Sequence, residues 1–304
     1  MTLRCSSASE QRGEPLTATA STVRHFVLLE DPGPWGPEVL RSRRLPGPLR
    51  APLLGWQRDL GVRPLLIRRP GRYLAGPRRV FVVNARYGWC QTLLVPNLAE
   101  VADLELAGID GPDGVGLEPH ADPLLLVCTH GRHDACCAER GRPLAAALAG
   151  VWPELTWESS HLGGDRFAAN LLILPGADCY GRLPPDRGVE VVRDHLAGRL
   201  TLDHHRGRCS VPWPQQAAEA ALRRHLGLRV VGAVRVVGAR RDADRFTVTL
   251  TALGRHHRVE LRHHTRSPEL LTCGAQQPSG AVHYELLGIT DLGRPDGRSR
   301  RPPG

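Results

Sequence analysis

Residues 124–170 constrain the fold more than any other stretch of the chain: LLLVCTHGRHDACCAERGRPLAAALAGVWPELTWESSHLGGDRFAAN. An apolar run ends in Cys128, and a polar loop carries Thr129 to Asp134. Cys136 and Cys137 then open a helical stretch, Leu155–Glu158 reads as a second strand, and a Gly-Gly turn is flanked by His161 and Asp165. This is the pattern of an α/β fold, in which loops that follow adjacent strands bring their side chains together. Soft thiolates and an imidazole converging from two such loops suit a metal site or a redox site.

The same order occurs upstream. Strand Arg24–Leu29, helix Leu49–Leu60 and strands Arg63–Arg68 and Arg79–Asn84 run parallel to strand 123–128, helix 136–149 and strands 155–158 and 170–174. Two β-α-β-β units in series predict a duplicated architecture, with the Cys and His loops only in the second. A strand, Cys179–Leu183, and a helix, Val189–Leu200, follow. Beyond a loop at 201–215, Ala217–Leu226 has helical spacing and Gly227 suits its C-cap. Four strand-like runs come next: Arg229–Gly238, Arg245–Leu253, His256–Arg262 and His283–Ile289. The expected division is a polar, loosely packed arm (1–22), an N-terminal α/β unit (23–115), the unit with the Cys/His site (116–205), a β-rich extension (206–290) and a tail disordered by composition (291–304).

A chain of 304 residues with 41% apolar residues can bury a core. It has no apolar run long enough for a membrane span, and its first residues lack the apolar middle of a signal peptide. A cytoplasmic location is expected, where clustered cysteines serve metals or catalysis more than disulfides. The net charge is +9, and all 40 basic residues are arginine. An excess of positive charge favours acidic protein partners. Aromatics are only 5% and no basic helix interleaves with them, which argues against nucleic acid.

Cys128 stands where open α/β sheets place functional groups, and Cys137 follows after eight residues. Asp134 can cap the helix at Cys136 and Cys137, whose dipole favours a thiolate, and Pro143 is expected to kink it. Neighbours on a helix point about 100° apart, so one of the two cysteines is assigned to the core and one to the site. His161 and Asp165 straddle two glycines that let both face one centre, although Asp165 also suits a turn cap. No Cys-x-x-Cys, Walker loop, nucleophile elbow or dinucleotide fingerprint occurs. Cys128-Thr129-His130 begins a Rieske-like pattern that nothing completes. The pairs His204-His205, His256-His257 and His263-His264 are poor chelators if they lie on strands, where neighbours face opposite ways.

CTHGRHDACCAERGRPLAAAL, followed by SHLGGDRFAANLLILPGADCYGRL, resembles the sucrase/ferredoxin-like family; GEPLTATA, LLEDPGPWG and ELLTCG fit it too. The resemblance implies a thioredoxin-like ferredoxin fold with a [2Fe-2S] cluster held by two Cys spaced C-x8-C and two His spaced H-x3-H. Carried over, the ligands are Cys128, Cys137 and His161, with Asp165 at the position of the second histidine. The implied function is electron transfer with a redox partner such as a flavoprotein reductase. The alternatives are a zinc protein using the same residues and a thiol enzyme with Cys137 as nucleophile and His161 as base. No carboxylate pair is placed for glycoside hydrolysis.

Overall fold

The computed structural model describes residues 4–71 and 76–294. Short apolar runs bounded by turns become buried strands. In the first unit these are β1 (His25–Glu30), β2 (Val62–Arg68), β3 (Arg78–Asn84) and β4 (Trp89–Val95). A helix (Gly47–Leu60) crosses from β1 to β2, so the two pair in parallel with Leu28 opposite Leu65. β3 pairs antiparallel with β1, and β4 antiparallel with β3, in the order β2-β1-β3-β4.

The second unit repeats this topology. β5 (Glu118–Pro119) is a short edge piece on β4. Then β6 (Leu124–Cys128) and β7 (Thr156–Ser159) pair in parallel across a helix (Ala135–Val151), and β8 (Leu171–Leu174) and β9 (Asp178–Tyr180) follow antiparallel in the order β7-β6-β8-β9. The duplication read from the sequence is therefore present in the strand order, with one strand more per unit. β4 lacks the expected apolar signature because Gln91 and Thr92 interrupt it; both are buried and satisfied, Gln91 Oε1 accepting the N–H of Val115 and Thr92 donating to the Val80 carbonyl. The units join edge to edge where β2 meets β7 antiparallel, with Arg68 Nε donating to Glu158 Oε2 at 2.6 Å. β10 (His205–Arg208), within the expected loop 201–215, extends this ten-stranded mixed sheet beside β9.

The strand period of two sorts the core into layers. Leu125 and Val127 face the helix Ala135–Val151 and a second helix, Pro185–Leu196. Leu124, Leu126 and Cys128 face a cluster shared with Phe26, Leu28 and Phe81 of the first unit. In chain order the helices are α1 (Cys5–Gln11), α2 (Gly47–Leu60), α3 (Ala135–Val151), α4 (Pro185–Leu196) and α5 (Trp213–Leu226). α3 runs on through Pro143, and α4 starts four residues before the expected Val189 because Pro185 suits its first turn.

Two expectations about the ends are corrected. The segment read as a loose polar arm contains α1, with Cys5, Ser6 and Ser9 buried. Cys5 packs on Cys136 and Ala168, contacts too distant in sequence to be read from it. The expected tail from 291 starts inside a strand: the last four strands are β11 (Val234–Asp242), β12 (Arg245–Ala252), β13 (Arg255–Thr265) and β14 (Val282–Gly293). The rest of that tail, 295–304, lies outside the described residues. β11–β14 form a separate antiparallel sheet packed on α5, whose end Gly227 caps in the left-handed region. Among the described residues no helix is long and apolar enough to cross a membrane.

Candidate metal centre

The site is built at the ends of β6 and β7 and the start of α3. Asp134 caps α3, its Oδ1 accepting the Cys136 N–H at 2.9 Å. The helix lies unusually close to β6, because a Cβ on Gly141 would fall 2.0 Å from the carbonyl oxygen of Cys128. Only glycine permits that approach, and it sets Cys137 in the first turn of α3 beside Cys128 at the end of β6.

The turn after β7 brings the other two residues. Gly163 and Gly164 adopt φ of 94° and 79°, in the left-handed region that a side chain disfavours. Arg206 of β10 fills the turn's inner side: it donates to Gly163 O at 2.9 Å, Asn170 Oδ1 at 2.8 Å and Thr19 Oγ1 at 3.0 Å. A Cβ on Gly164 would sit 2.2 Å from its Nη2. Arg63 donates to the His161 carbonyl at 2.7 Å. Held in this way, His161 and Asp165 face one side. His161 Nδ1 lies 2.9 Å from Asp165 Oδ1, and Cys137 Sγ donates to the same oxygen at 3.3 Å. The donor atoms of Cys128, Cys137 and His161 all fall within 4.8 Å of one another. Cys128, Cys137 and His161 thus form one compact group, and Asp165 borders it through His161 and Cys137.

The electrostatics set two anionic groups, Cys128 and Asp165, against His161. Hydrogen bonding from Cys137, and then His161, pulls the buried Cys128 thiol well below its usual range. Cys137, beside the Cys128 thiolate and buried, is pushed the other way and keeps its proton. Burial alone would lower the His161 imidazole, but Asp165 and Cys128 outweigh it and raise it to about 9. Burial opposes the Asp165 carboxylate, yet His161 holds it below its usual value. His161 Nδ1 is nevertheless buried without a hydrogen bond, since Asp165 is close but out of line with the ring N–H.

Sequence reasoning missed the neighbours that shape this centre. His133 is exposed, and its ring stacks on His161 at 3.8 Å; its donor atom joins those of His161 and Asp165 within 4.8 Å. His130 accepts the His161 N–H on Nδ1 at 3.1 Å, and its Nε2 meets the Gly36 carbonyl at 2.6 Å. Both lie in the loop His130–Asp134, so their position next to Cys128 was a usable signal. Arg206 carried none, since only the fold brings β10 to the turn. His133 and His161 border an open groove of about 230 Å³ with Pro37, Leu40, Gln57 and Pro64. The paired histidines 204–205, 256–257 and 263–264 join no group able to hold a metal among the described residues.

No curated protein and no solved structure matches the chain. Residues 16–207, more than half of its length and including all four converging residues, match the family described as sucrase/ferredoxin-like. The chain belongs to the sucrase/ferredoxin-like family.

Proposed function

We propose that the chain is an electron-transfer protein of this family, with a [2Fe-2S] cluster bound by Cys128, Cys137, His161 and Asp165. The observation that carries the reading is the convergence of two buried thiols, an imidazole nitrogen without a hydrogen-bond partner and a buried carboxylate at the ends of adjacent strands. The donor set fits: thiolates and imidazole are cluster ligands, and Cys128 already favours the thiolate. When bound, the cluster takes up and releases single electrons.

The residues around it provide for an anionic group. Arg206 is fully buried, and its hydrogen bonds all go to neutral oxygens, so its charge has no hydrogen-bonded counter-ion. Burial lowers its pKa, as it does for Arg63. A negative cluster would supply the missing charge, and the two buried guanidiniums would make Asp165 tolerable where the resemblance implies a neutral histidine. Sheet and helices exclude water from both cysteines, while His161 remains partly exposed beside His133. That histidine edge is where a partner would approach. With a net charge of +9, the partner chemistry that suits the chain is an acidic flavoprotein reductase.

A second reading is favoured by one observation, the compactness of the donor set. Zinc with ligands at about 2.0–2.3 Å holds them about 3.3–3.8 Å apart, close to the Cys137–Asp165 separation of 3.3 Å. Purification without oxygen, with iron, sulfide and zinc analysis, decides between the two. The expected result is a coloured protein with iron and acid-labile sulfide in equal amounts; a colourless zinc protein would replace the cluster reading.

A further inference from the structure

A second set of ligands lies on the other side of the first turn of α3. Cys136 Sγ is 3.3 Å from Cys273 Sγ and 3.7 Å from Cys5 Sγ, and Cys273 Sγ is 3.6 Å from Cys5 Sγ. Asp134 Oδ2 closes the group, 3.6 Å from Cys5 Sγ. Cys5, Cys136 and Asp134 are buried, and Cys273 is partly so. Cys5 and Cys273 both lie outside the span matched by the family.

The shape of this group identifies its ligand. A tetrahedral zinc with bonds of about 2.3 Å holds its sulfurs about 3.8 Å apart. The three thiols here form a nearly equilateral triangle of that size, with a carboxylate oxygen at the fourth corner. A disulfide, with sulfurs about 2.05 Å apart, would join only two of them and leave the third thiol behind; Asp134 is oriented toward the group by the N–H groups of Cys136 and Cys273. Ligands on different irons of a cluster are spread apart by the bridging sulfides, whereas these are all at mutual contact. We infer that Cys5, Cys136, Cys273 and Asp134 bind one Zn²⁺, separate from the centre at Cys128 and Cys137. Three Zn–S bonds form as three thiols release their protons to water. The excess negative charge faces the N-terminus of α3, and the guanidiniums of Arg4 and Arg140 lie close enough for their fields to reach the thiols.

The ion would add a bond among three segments distant in sequence, α1, the first turn of α3 and the stretch between β13 and β14, which already meet through Arg4–Glu139, Arg12–Glu269 and the Cys273 N–H donated to Asp134 Oδ2. In this way the C-terminal sheet and the N-terminal helix are fixed to the unit that carries the first centre. Cys136 and Cys137 share one helical turn, so the ion also orients Cys137.

The test uses the full chain carrying Cys128→Ser and Cys137→Ser, so that metal in the first centre does not contribute. About one zinc per chain is expected after purification without chelators. Adding Cys273→Ser, at the least buried of the three thiols, should lower zinc occupancy at least tenfold while the circular dichroism spectrum is unchanged. Cobalt added to the metal-free protein should give the absorption of a tetrahedral thiolate site, weakened by Cys273→Ser. Three results overturn the inference: absence of zinc in the Cys128→Ser/Cys137→Ser protein, zinc unchanged by Cys273→Ser, or a Cys136–Cys273 disulfide in peptide mapping of the protein as purified without oxygen. A colourless wild type that still binds this zinc would reject the cluster and leave the zinc site standing.

Discussion

Cys136 and Cys137 are neighbours in the chain, yet their sulfurs face different groups of side chains: Cys136 Sγ lies 3.3 Å from Cys273 Sγ, and Cys137 Sγ lies 3.3 Å from Asp165 Oδ1. The 100° step of the helix divides the pair. The variants Cys128→Ser and Cys137→Ser should each abolish the visible chromophore, while Cys136→Ser should keep most of it. Absorption spectra of the three proteins purified without oxygen check this. Loss of colour in Cys136→Ser alone would reverse the assignment.

Asp165 is the point at which this chain leaves the ligand pattern that its resemblance implies. As a ligand it adds a negative charge where a histidine would be neutral, so Asp165→His should raise the midpoint potential by on the order of 100 mV. Asp165→Ala should damage or abolish the cluster. Asp165→Asn keeps the turn's oxygen and removes the charge, so it should also titrate above the wild type. If redox titration places all four proteins together, Asp165 only shapes the turn.

Arg206 holds the Gly163-Gly164 turn from inside the protein. Arg206→Leu would leave the Gly163 carbonyl and Asn170 Oδ1 buried without that donor, at a cost of about 3 kcal/mol. Chemical denaturation measures the loss. The same variant should bind iron more weakly, because the turn that presents His161 and Asp165 loosens.

Asp178 and His205 form a buried pair, Nε2 to Oδ1 at 2.8 Å, that joins β9 to β10. Burial opposes the Asp178 carboxylate, but the His205 contact outweighs it and holds its pKa below the usual value. A depressed carboxylate adds stability above its unfolded pKa of about 3.9, and that stability is lost as pH falls toward the folded value. Asp178→Asn should therefore cost about 1–3 kcal/mol near pH 7 and progressively less below about pH 4. Unfolding midpoints from pH 7 to pH 3 follow the convergence; a constant gap would show that the charge contributes nothing.

The excess of arginine should steer an acidic partner. Reduction by an acidic flavoprotein reductase should slow several-fold as salt rises from about 0.01 M to about 0.5 M, because screening shortens the reach of the field. A rate independent of salt in stopped-flow measurements would remove the steering argument.

The α/β character, the repeated units and the nearness of Cys128, Cys137, His161 and Asp165 were legible in the sequence because each rests on local pattern. Leu124–Cys128 is too short for a helix and ends at a polar loop, Asp134 caps the helix that opens at Ala135, and two glycines bend the chain between His161 and Asp165. Periodicity and turn chemistry act over a few residues, so a single chain displays them openly. Cys5, Cys136 and Cys273 are different: they are up to 268 residues apart and meet only because α1 and the stretch between β13 and β14 pack against the same turn of α3. Arg206 likewise reaches Gly163 because β10 adds to the edge of the sheet next to β9. No local propensity encodes such meetings. They are fixed by the order in which strands join the sheet and by the burial that this order imposes, which only the tertiary structure decides.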